Sequence, residues 1–213
     1  QRLKMNDLNH KSASYLAQII KSGERKPSDV MSAHLSHIAR REPAIGAFQH
    51  LDADRAMDRA WAADDTATTG PLHGVPFVIK DIIDTDDMPT GWGSNIYTKR
   101  QPDKNATCVQ KFLDAGAIPI GKTVTTEFAY FQPGKTANPH NLEHTPGGSS
   151  SGSAAAVADF MTPLAFGSQT AASLIRPAAY CGVYGFRPTT GAYDLTGVMG
   201  LSTSLDTLGV LAR

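Results

Sequence analysis

The run Pro146-Gly147-Gly148-Ser149-Ser150-Ser151-Gly152-Ser153, passing straight into Ala154-Ala155-Ala156-Val157-Ala158, constrains this chain more than any other segment. Small side chains leave the backbone N–H groups accessible, which suits a place where the chain bends sharply and touches a ligand. A flexible Gly/Ser linker is the competing reading, and the direct passage into a small-residue helix near 153–160 argues against it. A second stretch of the same character, Gly167-Ser168-Gln169-Thr170-Ala171-Ala172-Ser173, follows an apolar segment. Its consecutive amides at Thr170, Ala171, Ala172 and Ser173 are candidates to point at one carbonyl oxygen.

Helical and strand-like patterns alternate around these runs. Residues 12–22 carry Tyr15, Leu16, Ile19 and Ile20 at helical spacing, closed by Gly23. Ser28 is expected to cap a second helix whose apolar positions are Val30, Met31, Leu35 and Ile38. An Ala-rich helix from about Asp52 to Asp64 follows, then a break at Gly70-Pro71. Val75 to Ile79 reads as a short buried strand ending in Lys80-Asp81, 105–115 as a helix, and Ala117 to Ile120 as the next strand. Thr162 to Phe166 and Gly209-Val210-Leu211 are also strand-like. This alternation predicts an α/β fold, a sheet with helices on its faces. No repeat or convincing linker divides residues 1–213, so one domain is expected.

Composition narrows the function. With 41% hydrophobic residues the chain can bury a core, and its 20 basic against 20 acidic groups give no reason to expect nucleic-acid or membrane binding. Cys108 and Cys181 provide no disulfide framework and fit a reducing compartment. The polar stretch Gln1 to His10 and the lack of a long apolar run speak against a signal peptide or membrane span, so the expected location is cytoplasmic.

A serine hydroxyl is a weak nucleophile at neutral pH and needs both a base and donors for the oxyanion it creates. Ser173, Ser149 and Lys80 can supply this without any histidine. An ordinary lysine is neutral in only about one molecule in 2,500 at pH 7. Burial therefore has to bring the Lys80 amine down to about 7–8. The bland readings are a surface lysine at 80, a helix cap at Ser149 and a structural hydroxyl at Ser173.

The order of several segments adds a resemblance. Gly74-Val75-Pro76-Phe77-Val78-Ile79-Lys80-Asp81, Gly121-Lys122-Thr123, Glu127-Phe128-Ala129, Pro146 to Ala158, Gly167 to Ser173, Pro177-Ala178-Ala179-Tyr180-Cys181-Gly182 and Ser204-Leu205-Asp206-Thr207-Leu208-Gly209 resemble the amidase signature family of serine hydrolases. The resemblance runs from about residue 12 to the end. It implies a mixed β-sheet flanked by helices, with Ser173 as nucleophile, Ser149 as a bridging serine held by a cis peptide, and Lys80 as base. It further implies an oxyanion hole at Thr170, Ala171, Ala172 and Ser173, a small-molecule amide as substrate, and no cofactor or metal. Attack of Ser173 on an amide carbonyl, release of ammonia or an amine, and hydrolysis of the acyl-enzyme form the implied cycle. Ser150 and Ser153 are expected to support the trio by hydrogen bonding.

Other patterns fail by context. Gly116-Ala117-Ile118-Pro119-Ile120-Gly121-Lys122-Thr123 fits the phosphate-loop expression, but Pro119 has no N–H and the segment reads as a strand. Gly148-Ser149-Ser150-Ser151-Gly152 fits a nucleophile elbow, which needs a histidine after the serine, and the last one is His144. His140 and His144 are flanked by Pro139 and Pro146 and read as a surface loop rather than a metal site. Asp81, Asp84, Asp86 and Asp87 read as a solvated acidic loop.

Arg176 stands three residues after Ser173, a spacing that resembles malonamidase-like members, in which the matching arginine holds a substrate carboxylate. A small amide bearing an acid group is the implied substrate, because a guanidinium fork suits a carboxylate. Pairing of Arg176 with a protein carboxylate is the alternative. Relatives usually carry Gly-Gly before the nucleophile where this chain has Ala171-Ala172, and alanine disfavours a left-handed turn. The family is also built on a longer chain, so two expectations stand side by side: the domain is incomplete at its C-terminus, or a second copy covers the exposed strand edge as a homodimer. A catalytically poor fragment serving in binding or assembly is the competing function.

Overall fold

Two short apolar runs form the centre of the sheet because every one of their side chains has somewhere dry to go. Described from residue 5 to residue 213 by a computed structural model, the chain places β2 (Pro76–Lys80) beside β3 (Ile118–Thr123), and every residue of both strands is buried. Strands buried on both faces are what a parallel pair covered by helices requires. β4 (Leu164–Gln169) pairs parallel to β2 on the other side. β1 (Phe48–Leu51), β6 (Thr207–Ala212) and β5 (Tyr184–Phe186) extend the sheet with antiparallel pairing, giving the order β1-β3-β2-β4-β6-β5. The fold is a mixed sheet flanked by helices, as expected.

The helices follow from apolar spacing and local caps. They are α1 (Ala13–Lys21), α2 (Pro27–Ile45), α3 (Ala53–Asp64), α4 (Thr107–Asp114), α5 (Ser151–Ala158) and α6 (Ile175–Cys181). Met31, Ile38, Ala56, Ala60 and the alanines of α5 pack with Val78, Ile120 and Ala165 in one core layer. Phe77, Ile79, Val109, Phe166 and Leu208 pack in another. α5 explains the small-residue run: a side chain at Gly152 would collide with the Ala47 carbonyl and the Val124 backbone. Only a helix stripped to Gly, Ala and Ser fits so close to its neighbours.

A register shift between Phe77 and Val78 settles which face each central residue presents. Lys80 stands opposite Thr123, whose hydroxyl lies 2.7 Å from that of Ser153 on α5. Lys122 stands opposite Ile79 and turns to the other face.

Several expectations need correction. Ser28 does not cap the second helix. The cap position is Lys26, Pro27 opens the helix, and the Asp29 carboxylate accepts from the Lys26 N–H at 3.1 Å. Ser28 instead donates its N–H and hydroxyl to Asp64, at 2.9 and 2.6 Å. The strand expected from Thr162 begins only at Leu164, since Pro163 has no N–H to give to a ladder, and runs on through Gly167 to Gln169. The acidic loop is not simply solvated. Asp81 is buried and accepts from the Gly91 and Gly93 N–H groups, Asp84 pairs with Arg100 at 2.7 Å, and Asp87 pairs with Arg59 at 2.6 Å. Only Asp86 of the four is exposed.

Cys108 and Cys181 are free and buried. No helix among the described residues is long and apolar enough to cross a membrane.

Candidate active site

The C-terminal ends of the parallel strands carry the chemistry, the place where open α/β sheets usually bind ligands. Lys80 is the last residue of β2 and is fully buried. Its Nζ donates to Ser149 Oγ at 2.5 Å and to Ser168 Oγ, near the end of β4, at 2.9 Å. Burial pulls the Lys80 amine down from its ordinary value to about 7, while the Asp206 carboxylate pulls the other way. A lysine at the surface, the bland reading, is therefore excluded.

Ser149 is fully buried and follows a cis Gly148–Ser149 peptide bond. Its carbonyl accepts from the Thr126 N–H at 3.2 Å, and its hydroxyl is turned to Lys80 rather than capping α5. Ser150 occupies the cap position of α5 and exchanges hydrogen bonds with the Ser168 backbone at 3.3 Å. Ser153 donates to the Phe166 carbonyl at 2.8 Å. Both serines thus brace the site in the way expected of them.

Ser173 reaches the site through its backbone. Its carbonyl accepts from the Ser150 N–H at 3.1 Å, which ties the two small-residue stretches together. The Ser173 hydroxyl makes no hydrogen bond to Lys80 or Ser149, so the structure joins Lys80 and Ser149 directly and ties Ser173 to the segment after Ser149 through its carbonyl alone. Among the described residues the N–H groups of Thr170, Ala171, Ala172 and Ser173 donate to no protein acceptor. The next two, Leu174 and Ile175, donate to Gln169 Oε1 at 3.2 and 3.0 Å. Neither Ala171 nor Ala172 adopts a positive φ, so alanine in place of glycine leaves this loop without left-handed residues.

Arg176 donates through Nε to the Gly148 carbonyl at 3.0 Å and pairs with no carboxylate among the described residues. It lines a cavity of about 230 Å³ together with Gly148, Ser151, Thr126 and Tyr130. A second cavity, of about 420 Å³, contains Ser168, Thr170 and Asp206. His140 turns to the Cys181 carbonyl at 2.8 Å, away from any partnership with His144.

Two residues of this site do not stand out in the sequence. Ser168 shares the Lys80 ammonium, and its position inside the second small-residue stretch is the available signal. Asp206 accepts from Thr170 Oγ1 at 2.5 Å, and only its place in the segment Ser204 to Gly209 marks it.

Comparison with known proteins shows the family to which this sheet belongs. Residues 29–213 match the model of the Amidase family. A glutamyl-tRNA(Gln) amidotransferase subunit from Acidothermus cellulolyticus is 43% identical over 98% of this chain and 43% of its own length. An amidase family protein from Bacillus anthracis superimposes with a TM-score of 0.91 at 30% identity, over 99% of this chain and 45% of the other. A peptide amidase from Stenotrophomonas maltophilia gives 0.88 at 35% identity, over 95% and 45%. The chain thus spans less than half the length of the relatives it matches. With its small-residue helix, cis Gly148–Ser149 bond and buried Lys80 on a sheet of this topology, the chain belongs to the Amidase family, whose members hydrolyse amides.

Proposed function

We propose that the chain hydrolyses carboxamides through an acyl-enzyme on Ser173. The observation that carries this reading is the buried Lys80 amine, brought to about 7 and held 2.5 Å from the Ser149 hydroxyl. Neutral Lys80 takes the Ser149 proton as Ser149 takes that of Ser173, and Ser173 Oγ bonds to the substrate carbonyl carbon. The oxyanion is received by the unbonded N–H groups of residues 170–173. Returned through Ser149, the proton goes to the departing nitrogen, and the carbon–nitrogen bond breaks. Water then attacks the ester by the same relay and frees the carboxylate.

Arg176 selects the substrate in this reading. With Nε on Gly148 and no carboxylate among the described residues paired to it, the guanidinium offers its remaining N–H groups to a cavity that adjoins the cis bond. A small amide bearing a carboxylate is the class that fits.

A fluorophosphonate probe tests the assignment. The wild type should be labelled, and Ser173→Ala and Lys80→Ala should not be. A folded wild type that takes no probe supports the second reading, a protein that binds or assembles without catalysis. That reading draws on the exposed aromatic edge at β5, where Tyr184 and Phe186 are 78% and 56% exposed.

A further inference from the structure

We propose that Asp206 is a positioning residue for this site: its carboxylate holds the loop that presents the Thr170 to Ser173 N–H groups against the loop that walls the neighbouring cavity. The proposal rests on the hydrolase reading for the use to which those N–H groups are put. Asp206 Oδ1 accepts from Thr170 Oγ1 at 2.5 Å. Its Oδ2 accepts from the N–H groups of Leu201 and Ser202 at 2.7 and 2.8 Å. One side chain therefore closes the turn at 201–206 and tethers the first residue of the donor loop.

The other end of that loop is fixed as well. Thr207 donates through Oγ1 to the Gln169 carbonyl at 3.0 Å, while Gln169 Oε1 takes the Leu174 and Ile175 N–H groups. Residues 170–173 are thus held on both sides while their N–H groups stay unbonded, which is the state an oxyanion site must have before substrate arrives. A carboxylate suits the junction because both of its oxygens accept. An amide in its place could keep all three partners only by giving its one oxygen to the Leu201 and Ser202 N–H groups and its nitrogen to Thr170 Oγ1, with neutral bonds in place of charge-assisted ones.

Asp206 also acts on Lys80 through space. Lys122 on β3 and Asp81, next along the chain, face each other on the opposite side of the sheet, and β4 and α5 carry no charged residue. Asp206 is the carboxylate that opposes the effect of burial on the Lys80 amine.

Two conservative variants separate the clamp from the charge. Asp206→Asn removes the charge and weakens the acceptor shared by Leu201 and Ser202, a neutral amide oxygen replacing a carboxylate; Thr170→Val removes only the tether. In the full chain, Asp206→Asn should slow fluorophosphonate labelling of Ser173 by about tenfold or more. It should also move the Lys80 titration midpoint to lower pH, followed by NMR of ¹³C-labelled lysine and identified by its absence in Lys80→Met. Thr170→Val should slow labelling and leave that midpoint in place. Wild-type labelling of Asp206→Asn overturns the proposal, and so does wild-type labelling of Thr170→Val. If the folded wild type takes no probe, the hydrolase reading falls, and amide hydrogen exchange at Leu201 and Ser202 then decides: faster exchange in Asp206→Asn upholds the clamp and an unchanged rate overturns it.

Discussion

Two lysines on neighbouring strands are buried without residual exposure, yet they sit on opposite faces of the sheet and in opposite surroundings. Lys80 meets two serine hydroxyls and the field of a single carboxylate, Asp206. Lys122 donates to the Ile83 carbonyl at 2.5 Å and the Thr90 hydroxyl at 2.6 Å, with Asp81, Asp84 and Asp87 all favouring its charge. Burial lowers the first amine to about 7 and the second only to about 8. The difference teaches that burial alone does not make a base. Lys122 braces the 81–93 loop through Ile83 and Thr90 with three carboxylates favouring its charge, whereas Lys80 faces two serine hydroxyls with one.

Removing each amine should break the protein in different ways. Lys80→Met takes away the base and should cut Ser173 labelling by about 10³-fold while the chain still folds, since an apolar side chain suits a dry position. Lys122→Met leaves the Ile83 carbonyl without its donor and Asp81 without its counter-charge, which should destabilise the fold by about 3 kcal/mol. Labelling per folded molecule should stay near wild type, measured alongside urea unfolding. A Lys122→Met protein that folds well yet refuses the probe would end the distinction.

The same contrast predicts pH dependence. Labelling should rise with a slope of one through about pH 7 and then level off, with no second inflection near 8, because Lys122 carries no proton of the reaction. Stability follows from the sign of the shift. Unfolded lysine holds its proton up to its ordinary value of 10.5, and folded Lys80 loses it near 7, so the unfolded state binds more protons between those limits. Stability should rise with pH across that window, by an amount on the order of 5 kcal/mol for Lys80. Lys122 adds a slope of the same sign between about 8 and 10.5. Lys80→Met should flatten the rise between pH 7 and 8 in denaturant titrations; an unchanged slope there would refute the depressed amine.

How far this contrast is legible in the sequence depends on the distance over which each signal acts. Lys80 stands at the end of an apolar run and Ser149 and Ser173 in small-residue stretches, so local pattern marks all three. Lys122 lies in a motif that merely fails as a phosphate loop, and the register shift that turns it away from Lys80 is a property of two paired strands, invisible in either one. Asp81 reads as solvated because nothing in its neighbourhood in sequence announces that Gly91 and Gly93 fold back onto it. Ser28 misleads for a related reason, its partner Asp64 lying on a different helix. Strand β1 and helix α6 carry patterns too short to separate from loop. The 170–173 loop is legible as a run of amides, while the side chains that hold it, Gln169 and Asp206, make contacts that only the folded chain creates.

A third cation extends the comparison outward and gives the smallest expected effect. Arg176 is only partly buried and is held by one neutral carbonyl, so it is neither shut away from water like Lys80 nor ringed by carboxylates like Lys122. Such a group is available to a ligand, and a carboxylate is the partner that takes its fork most completely. Arg176→Leu should therefore lower the rate on an acidic amide about tenfold relative to a neutral amide of the same size, the worth of one charge-assisted hydrogen bond. Arg176→Lys should fall between, since it keeps the charge and loses the planar pair of donors. Equal relative rates for Arg176→Leu and wild type would remove Arg176 from substrate choice and leave it a strut for the Gly148 carbonyl, while the contrast between the two buried lysines would stand unchanged.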